Sequence, residues 1–495
     1  MRMRDDGRGS RFDWLDVLDG ALKVLWLLAW LLVGGMEASA RGQTPDSLAV
    51  TACASEGCGT AWMHLATPLA ASLYDDYSPV GSPHWSHIRT MVTDFYYNWT
   101  PTERAWAAAH YDAEMSGDAS AWQGLNPTVQ TYPYTLLWTT LIPSATAMPN
   151  ITGTYYADMQ SWYAAHPAYR IETAFVHDSG AAADSARRKR IAIWGSARWV
   201  VNPADSGLVA YDVDRYRRIV ASASGGAFID ESASGDIAKG QPSAEYPAQA
   251  AYMTAYAALL ARLHQSIAPK ILMPNTGGYF TDADLADVTA AGGTHLEKVN
   301  NPLHSGLPGF WSWIEQYLAG GAVVDLVNAF DFADDSVLAA RGTYPGGNEP
   351  TTFAREKMAE LASYYLVVPA TPDHLALQLV NMWDRPFSNI WLKAQEADIG
   401  HPTAARAVQT LATKDSAGQP IVLYQRDFTR ALVIFRVQTG WGAQSYADST
   451  AVTIPLAAGE TWLPLHADGS LGAAVTALPL RNSEAAILIK ASALP

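Results

Sequence analysis

Between residues 88 and about 370, short apolar runs rich in β-branched and aromatic residues recur eight times, separated by stretches with helical spacing. Such alternation confines a chain to a parallel α/β architecture, because a strand that returns through a helix runs in the direction of its predecessor. The runs are Arg89 to Tyr97, Tyr132 to Thr139, Arg170 to Val176, Gly226 to Glu231, Lys270 to Asn275, Thr294 to Val299, Ala322 to Asn328 and Ser363 to Val368. Helices are expected around Val213 to Ala221 and from about Pro247 to His264. Eight units favour a closed (β/α)8 TIM barrel over an open doubly wound sheet. No Gly-x-Gly-x-x-Gly and no phosphate-binding loop follows a strand, so nucleotide folds lose support.

After residue 415 the texture changes. Pro420 to Phe428, Arg430 to Val437, Thr453 to Leu456 and Ala485 to Lys490 are separated by turn-like segments without helices. That spacing predicts a C-terminal antiparallel β-sandwich domain. The expected layout is a signal segment over 1–40, an N-terminal extension over 41–84, the barrel over 85–412 and the β domain over 413–495.

The signal segment is read from Val24 to Val33, an apolar stretch too short for a comfortable membrane span, followed by Gly34, Gly35 and the small-x-small site Ala38-Ser39-Ala40. The residues ahead of it balance five basic against five acidic groups, which leaves an uncleaved anchor as the alternative. Either way the body of the chain is expected outside the cytosol, secreted or periplasmic, with no stable membrane insertion once the segment is cleaved. Cys53 and Cys58 flank a short loop containing Gly57, and a local disulfide suits an oxidising compartment. No second Cys or paired His motif completes a metal site, and no cofactor motif is present.

A formal net charge of −15 argues against a nucleic-acid partner, which needs a basic face. The cluster Arg187, Arg188, Lys189, Arg190 reads as a solvated loop. The 18 Trp outnumber the 12 Phe, and 23 Tyr accompany them. Trp and Tyr present flat apolar faces with a polar edge, on which sugar rings stack.

At the carboxyl end of a barrel, strand termini face one shared crevice. Acidic groups collect there: Asp94 near the end of the first run, Asp230 and Glu231 at the fourth, and Glu297 at the sixth. Asn275 and Asn328 end the fifth and seventh, with Asp331 just beyond. Cleavage of a glycosidic bond needs two carboxyl groups, one to protonate the leaving oxygen and one to attack carbon one or activate water. Asp230 is the candidate nucleophile or ion-pair stabiliser, and Glu297 the candidate acid/base. Either acid could instead pair structurally with Lys298, Arg198 or a backbone donor. Glu231 rivals Asp230, because a one-residue slip exchanges the two faces of a strand. Asp94, Tyr96 and Tyr97 are candidate sugar-hydroxyl contacts. Trp138, Trp194, Trp199, Trp311 and Trp383 are candidate stacking platforms. His177 with Asp178, and Arg198, are further candidate ligand contacts. There is no Gly-x-Ser-x-Gly elbow and no His-Glu-x-x-His.

The stretch from Arg170 to Asp236 resembles hypothetical glycoside-hydrolase-like barrel families of bacteria. The residues that carry the resemblance are Ala174 to Gly180, then Trp199-Val200-Val201-Asn202-Pro203, then a helix, then Gly226 to Glu231. In such families the Asp after this strand commonly lies in the active site, which implies Asp230. An acid ending strand four with another ending strand six is similar to the α-galactosidase clan and to dextranases. The resemblance implies a retaining enzyme with Asp230 as nucleophile and Glu297 as acid/base, acting on a poly- or oligosaccharide. Gly225-Gly226-Ala227 departs from the Asp-Gly usual before that strand. Two other classes stay open: a non-catalytic carbohydrate-binding protein on a decayed barrel, and a polysaccharide lyase.

Overall fold

The computed structural model describes residues 88–93, 100–115, 118–137, 139–141, 155–179, 189–193, 198–230, 232, 243–276, 282–297, 307–329, 351–369, 374–380, 392–414, 418, 420–437, 451–481 and 484–494. The expected signal segment, the N-terminal extension and the Cys53–Cys58 pairing lie outside them. Among the described residues no helix is long and apolar enough to cross a membrane.

The chain opens with β1 (Met91–Thr93), α1 (Pro101–His110), β2 (Ala113–Met115), α2 (Ala119–Leu125), β3 (Gln130–Tyr132), β4 (Tyr134–Leu136) and β5 (Thr139–Leu141). There follow α3 (Tyr155–Ala165), β6 (Ala192–Ile193), β7 (Arg198–Val200), α4 (Ser206–Ile219), β8 (Gly226–Asp230), α5 (Gln249–Ile267) and β9 (Ile271–Pro274). Next come α6 (Asp282–Ala291), β10 (Gly293–Glu297), α7 (Leu307–Ala319), β11 (Val323–Ala329), α8 (Thr351–Val367) and β12 (Leu375–Val380).

Parallel pairings join these strands in sequence order. β1 pairs with β2 and β2 with β3; β4, continuous with β3 through Pro133, pairs with β8 and β8 with β9. β10 pairs with β11 and β11 with β12. Two parallel bridges supply the remaining links, Asn275 to His295 between β9 and β10, and Leu377 to Thr90 between β12 and β1. The pairings therefore return to the first strand, with helices between most of its members. β5, β6 and β7 form a separate antiparallel sheet within the long excursion from β4 to β8.

Alternation along the strands sorts their side chains onto two faces. Met91, Met115, Tyr132, Tyr134, Phe228, Met273 and Ala376 share one buried cluster towards the middle of the ring. The intervening residues Ala227, Ile229 and Leu272 pack instead on Tyr252, Tyr256, Leu259 and Leu263 of α5. Asp230 shares the phase of Phe228, which settles which way this carboxyl faces.

The glycines ahead of β8 have a steric cause. A Cβ on Gly226, whose φ is 155°, would lie 1.8 Å from the Ile271 carbonyl oxygen, and one on Gly225 would meet the Tyr132 ring. Only glycine allows β8 to lie this close to its neighbours. Helix α4 shows the local logic of the outer layer: Asp205 caps it by accepting from Leu208 N at 2.8 Å. Leu208, Tyr211, Asp212, Arg215 and Tyr216 then recur at helical spacing on its buried face.

Two expected strands are corrected. Arg170 to Val176 is no ring strand: Ile171–Ala174 is a 3₁₀ turn, with Phe175 bridged to Val201. The ring uses instead the three residues of β2, too short to stand out by periodicity. Ser363 to Val368 belongs mostly to α8, whose residues 357–367 are buried on every side. A helix with no exposed face reads as a β run. The strand in that place is β12.

The C-terminal sheet contains β13 (Ala407–Lys414), β14 (Pro420–Asp427), β15 (Ala431–Val437), β17 (Trp462–Pro464) and β19 (Glu484–Lys490), all antiparallel, in the order β13-β14-β15-β19-β17. β16 (Val452–Pro455) and β18 (Ala477–Leu480) form a two-stranded ribbon. β15 is apolar on both faces because both are covered. Ala431, Val433, Phe435 and Val437 join the cluster containing Trp311 of α7 and Leu361 of α8, while Leu432 and Ile434 pack with Ile454 and Leu480 of the ribbon.

Candidate functional site

Asp230 closes β8, and both of its carboxylate oxygens are held. The Tyr134 hydroxyl donates to Oδ2 at 2.6 Å, and the Asn275 amide nitrogen donates to Oδ1 at 2.9 Å. The donors come from the strands on either side, where the register sets Leu136 beside Asp230 and Pro274 beside Ile229. Phe228 backs Tyr134 edge-on, with ring centroids 5.5 Å apart. A carboxylate gripped from two sides by rigid strands keeps one orientation, as a nucleophile or charge stabiliser requires.

A second polar group lies further round the ring. Nδ1 of His295 on β10 is 2.7 Å from Oδ2 of Asp325 on β11, and both side chains are buried. In the amide orientation that satisfies both its neighbours, Gln378 of β12 donates to the same Asp325 oxygen at 2.9 Å and accepts from the Thr93 amide at 3.0 Å. Burial raises the Asp325 carboxyl above its ordinary range, against the opposing pull of the His295 bond and the more distant Arg89 charge.

Of the residues singled out in the sequence, Asp230 and Asn275 are brought together. Glu297 is the last residue of β10, at a register position opposite Val327. Asn328 lies on β11, next to last in the strand. The side chains of Glu297 and Asn328 lie outside the described residues, as do Asp94, Tyr96, Tyr97, Trp138, Trp194, Glu231, Asp331 and Trp383 entirely. Trp311 is no stacking platform: it is fully buried between Tyr424 and Phe435. Trp199 packs edge-on against Tyr156 and Phe175, beneath the Arg190 guanidinium. Arg198 is buried on β7, in the antiparallel excursion rather than on the ring.

His177 belongs to another cluster. Its Nδ1 is 2.8 Å from Glu245 and its Nε2 3.0 Å from Glu172, and the Arg190 guanidinium pairs with Glu172. That guanidinium holds the Glu172 carboxyl down to about 2. The His177 amide also donates to Glu245, and Ala244 N donates to the His177 carbonyl, so the cluster ties the excursion to the segment following β8. The arrangement is that of a clamp.

Tyr134, His295, Asp325, Gln378 and Thr93 escaped the sequence reading. A signal was present: each is a polar side chain on the inward phase of a short buried strand, where burial needs a partner.

No family model matches the chain, and no curated protein matches it. Solved structures do resemble it. A GH27 β-L-arabinopyranosidase from Geobacillus stearothermophilus is 9% identical, with 85% of this chain and 98% of that one covered at a TM-score of 0.44. An α-amylase from Geobacillus thermoleovorans is 7% identical over 83% of this chain and 99% of that one, at 0.44. The glycoside hydrolase domain of PelA from Pseudomonas aeruginosa is 13% identical over 60% of this chain and 96% of that one, at 0.34. Likenesses this distant decide nothing about activity.

Proposed function

We propose that the chain is an exported glycoside hydrolase, that its ring of parallel strands is a (β/α)8 barrel, and that it cleaves O-glycosidic bonds of a poly- or oligosaccharide by a retaining, two-carboxylate mechanism. Asp230 attacks carbon one, and its two donors hold it in line as the bond to the leaving oxygen breaks. Glu297, ending a strand two places round the ring, protonates the leaving oxygen and then removes a proton from the water that releases the sugar. The residues near the strand ends, Asp94, Tyr96, Trp138, Asn328 and Asp331 among them, bind the glycan. No cofactor takes part in this scheme.

The observation that carries the reading is the grip on Asp230. An acidic side chain at the carboxyl end of a parallel strand, inward in phase, has both oxygens engaged by donors from the two flanking strands. The test is a screen of bacterial exopolysaccharides and plant glycans for released reducing ends, run in parallel with wild type, Asp230→Asn and Glu297→Gln. Release by wild type alone, with both variants reduced by a factor of about 10³ or more, supports the reading. Equal release by wild type and Asp230→Asn removes Asp230 from the chemistry.

A further inference from the structure

The polar side chains facing the middle of the ring form a belt. It runs from Thr93 through Gln378 and Asp325 to His295, and from Asn275 through Asp230 to Tyr134. The two arcs meet where Asn275 and His295 face each other across the parallel bridge between β9 and β10. Side chains at such paired positions stand side by side, about 5 Å apart. His295 therefore neighbours the residue whose amide grips Asp230.

The ring of His295 has a fixed direction. Asp325 binds Nδ1 from the β11 side, while on the other side the imidazole reaches the Phe228 ring of β8, with centroids 4.9 Å apart. It leans across β9 towards the strand that carries Asp230. Asp325 itself is an expensive residue to keep: its Oδ1 is buried without a hydrogen-bond partner. A buried His–Asp pair with an unsatisfied oxygen is a poor stabiliser compared with an apolar pair of similar volume. Its neighbours in the ring, Met91, Met273 and Ala376, show that apolar side chains suit this layer.

We infer that His295, oriented by Asp325, is a positioning residue for Asp230, acting through Asn275. The inference rests on Asp230 being the reacting carboxylate. Asp325 fixes the imidazole, the imidazole backs the Asn275 side chain, and the Asn275 amide aims the carboxylate. Asp325 of β11 is the titratable group bound to the His295 ring, and Arg89 and Tyr132 are coupled electrostatically to Asp325 in turn.

The test compares full-length wild type, Asp230→Asn, His295→Gln and Asp325→Asn on the glycan found by the screen, each checked by thermal melting. For His295→Gln and Asp325→Asn, kcat should fall about tenfold or more with KM within about twofold, since the loss falls on the reacting group rather than on glycan binding. Folded variants that keep the wild-type kcat overturn the inference, and so does a loss that falls on KM with kcat unchanged. Asp325→Asn, nearly isosteric, decides the matter if His295→Gln does not fold. If Asp230→Asn matches wild type, the proposed chemistry fails instead, whatever the His295 variant does. If wild type cleaves no glycan, both fall together.

Discussion

The hydroxyl of Tyr134 and the carboxylate of Asp230 lie 2.6 Å apart on neighbouring parallel strands, although 96 residues separate them in the chain. The contact depends on the β4–β8 register, which pairs Tyr134 with Phe228 and so brings the phenol beside the end of β8. Tyr134→Phe removes the charge-assisted bond to Asp230. The expected outcome is a fall in kcat of about 10- to 100-fold on a cleaved glycan, with the melting temperature nearly unchanged. Steady-state kinetics beside a thermal melt measures both.

Asp287 on α6 is buried, both of its oxygens lack hydrogen-bond partners, and burial together with the nearby Asp284 charge pushes its carboxyl up to about 8. An acid with a folded value above its unfolded value binds its proton more readily when folded. Its contribution to stability is present at low pH and is lost as pH rises from the ordinary 3.8 towards about 8. Asp287→Asn should therefore gain stability over wild type across that window, by on the order of a few kcal/mol, with a constant difference above it. Urea unfolding at several pH values reads the difference; a pH-independent difference would refute the assignment.

Glu245 anchors the excursion through both the amide and the ring of His177, each at 2.8 Å. Glu245→Ala should speed hydrogen exchange at the amides of His177 and Ala244 about tenfold or more, while the ring strands keep their protection. Exchange measured by mass spectrometry over 170–180 and 240–250 checks this. Protection unchanged in those segments would mean that other contacts hold the clamp shut.

Trp311 joins α7 to the C-terminal sheet, with ring centroids 5.0 Å from Tyr424 and 5.4 Å from Phe435. Its Nε1 has no hydrogen-bond partner, so its contribution is packing together with the contact of the Arg406 guanidinium over its ring. Trp311→Ala should cost about 3–5 kcal/mol and Trp311→Phe only about 1–2, measured by denaturant unfolding. Equal costs would place the energy elsewhere than in ring volume.

Most ring strands could be read directly. β8 to β11 fall within or beside their expected runs, because each is a short apolar segment between long helices. β2 and β12 could not. β2 has three residues, and β12 carries Gln378, a polar side chain whose partners, on the flanking strands β11 and β1, lie far away in the sequence. The tail of α8 passed for a strand because burial all round erases the periodicity that marks a helix. At the site, Asp230 was legible as an acid ending a buried run, but its inward phase was not.

The sequence by itself determined the α/β alternation, the antiparallel character of the C-terminal segments and the acid at the end of β8, because these follow from local periodicity and composition. Only the tertiary structure decided that Tyr134 and Asn275 grip that acid, that His295 faces Asp325, and that Trp311 is core. Those relations join residues tens of positions apart, and they are set by strand register and packing, which no local pattern encodes.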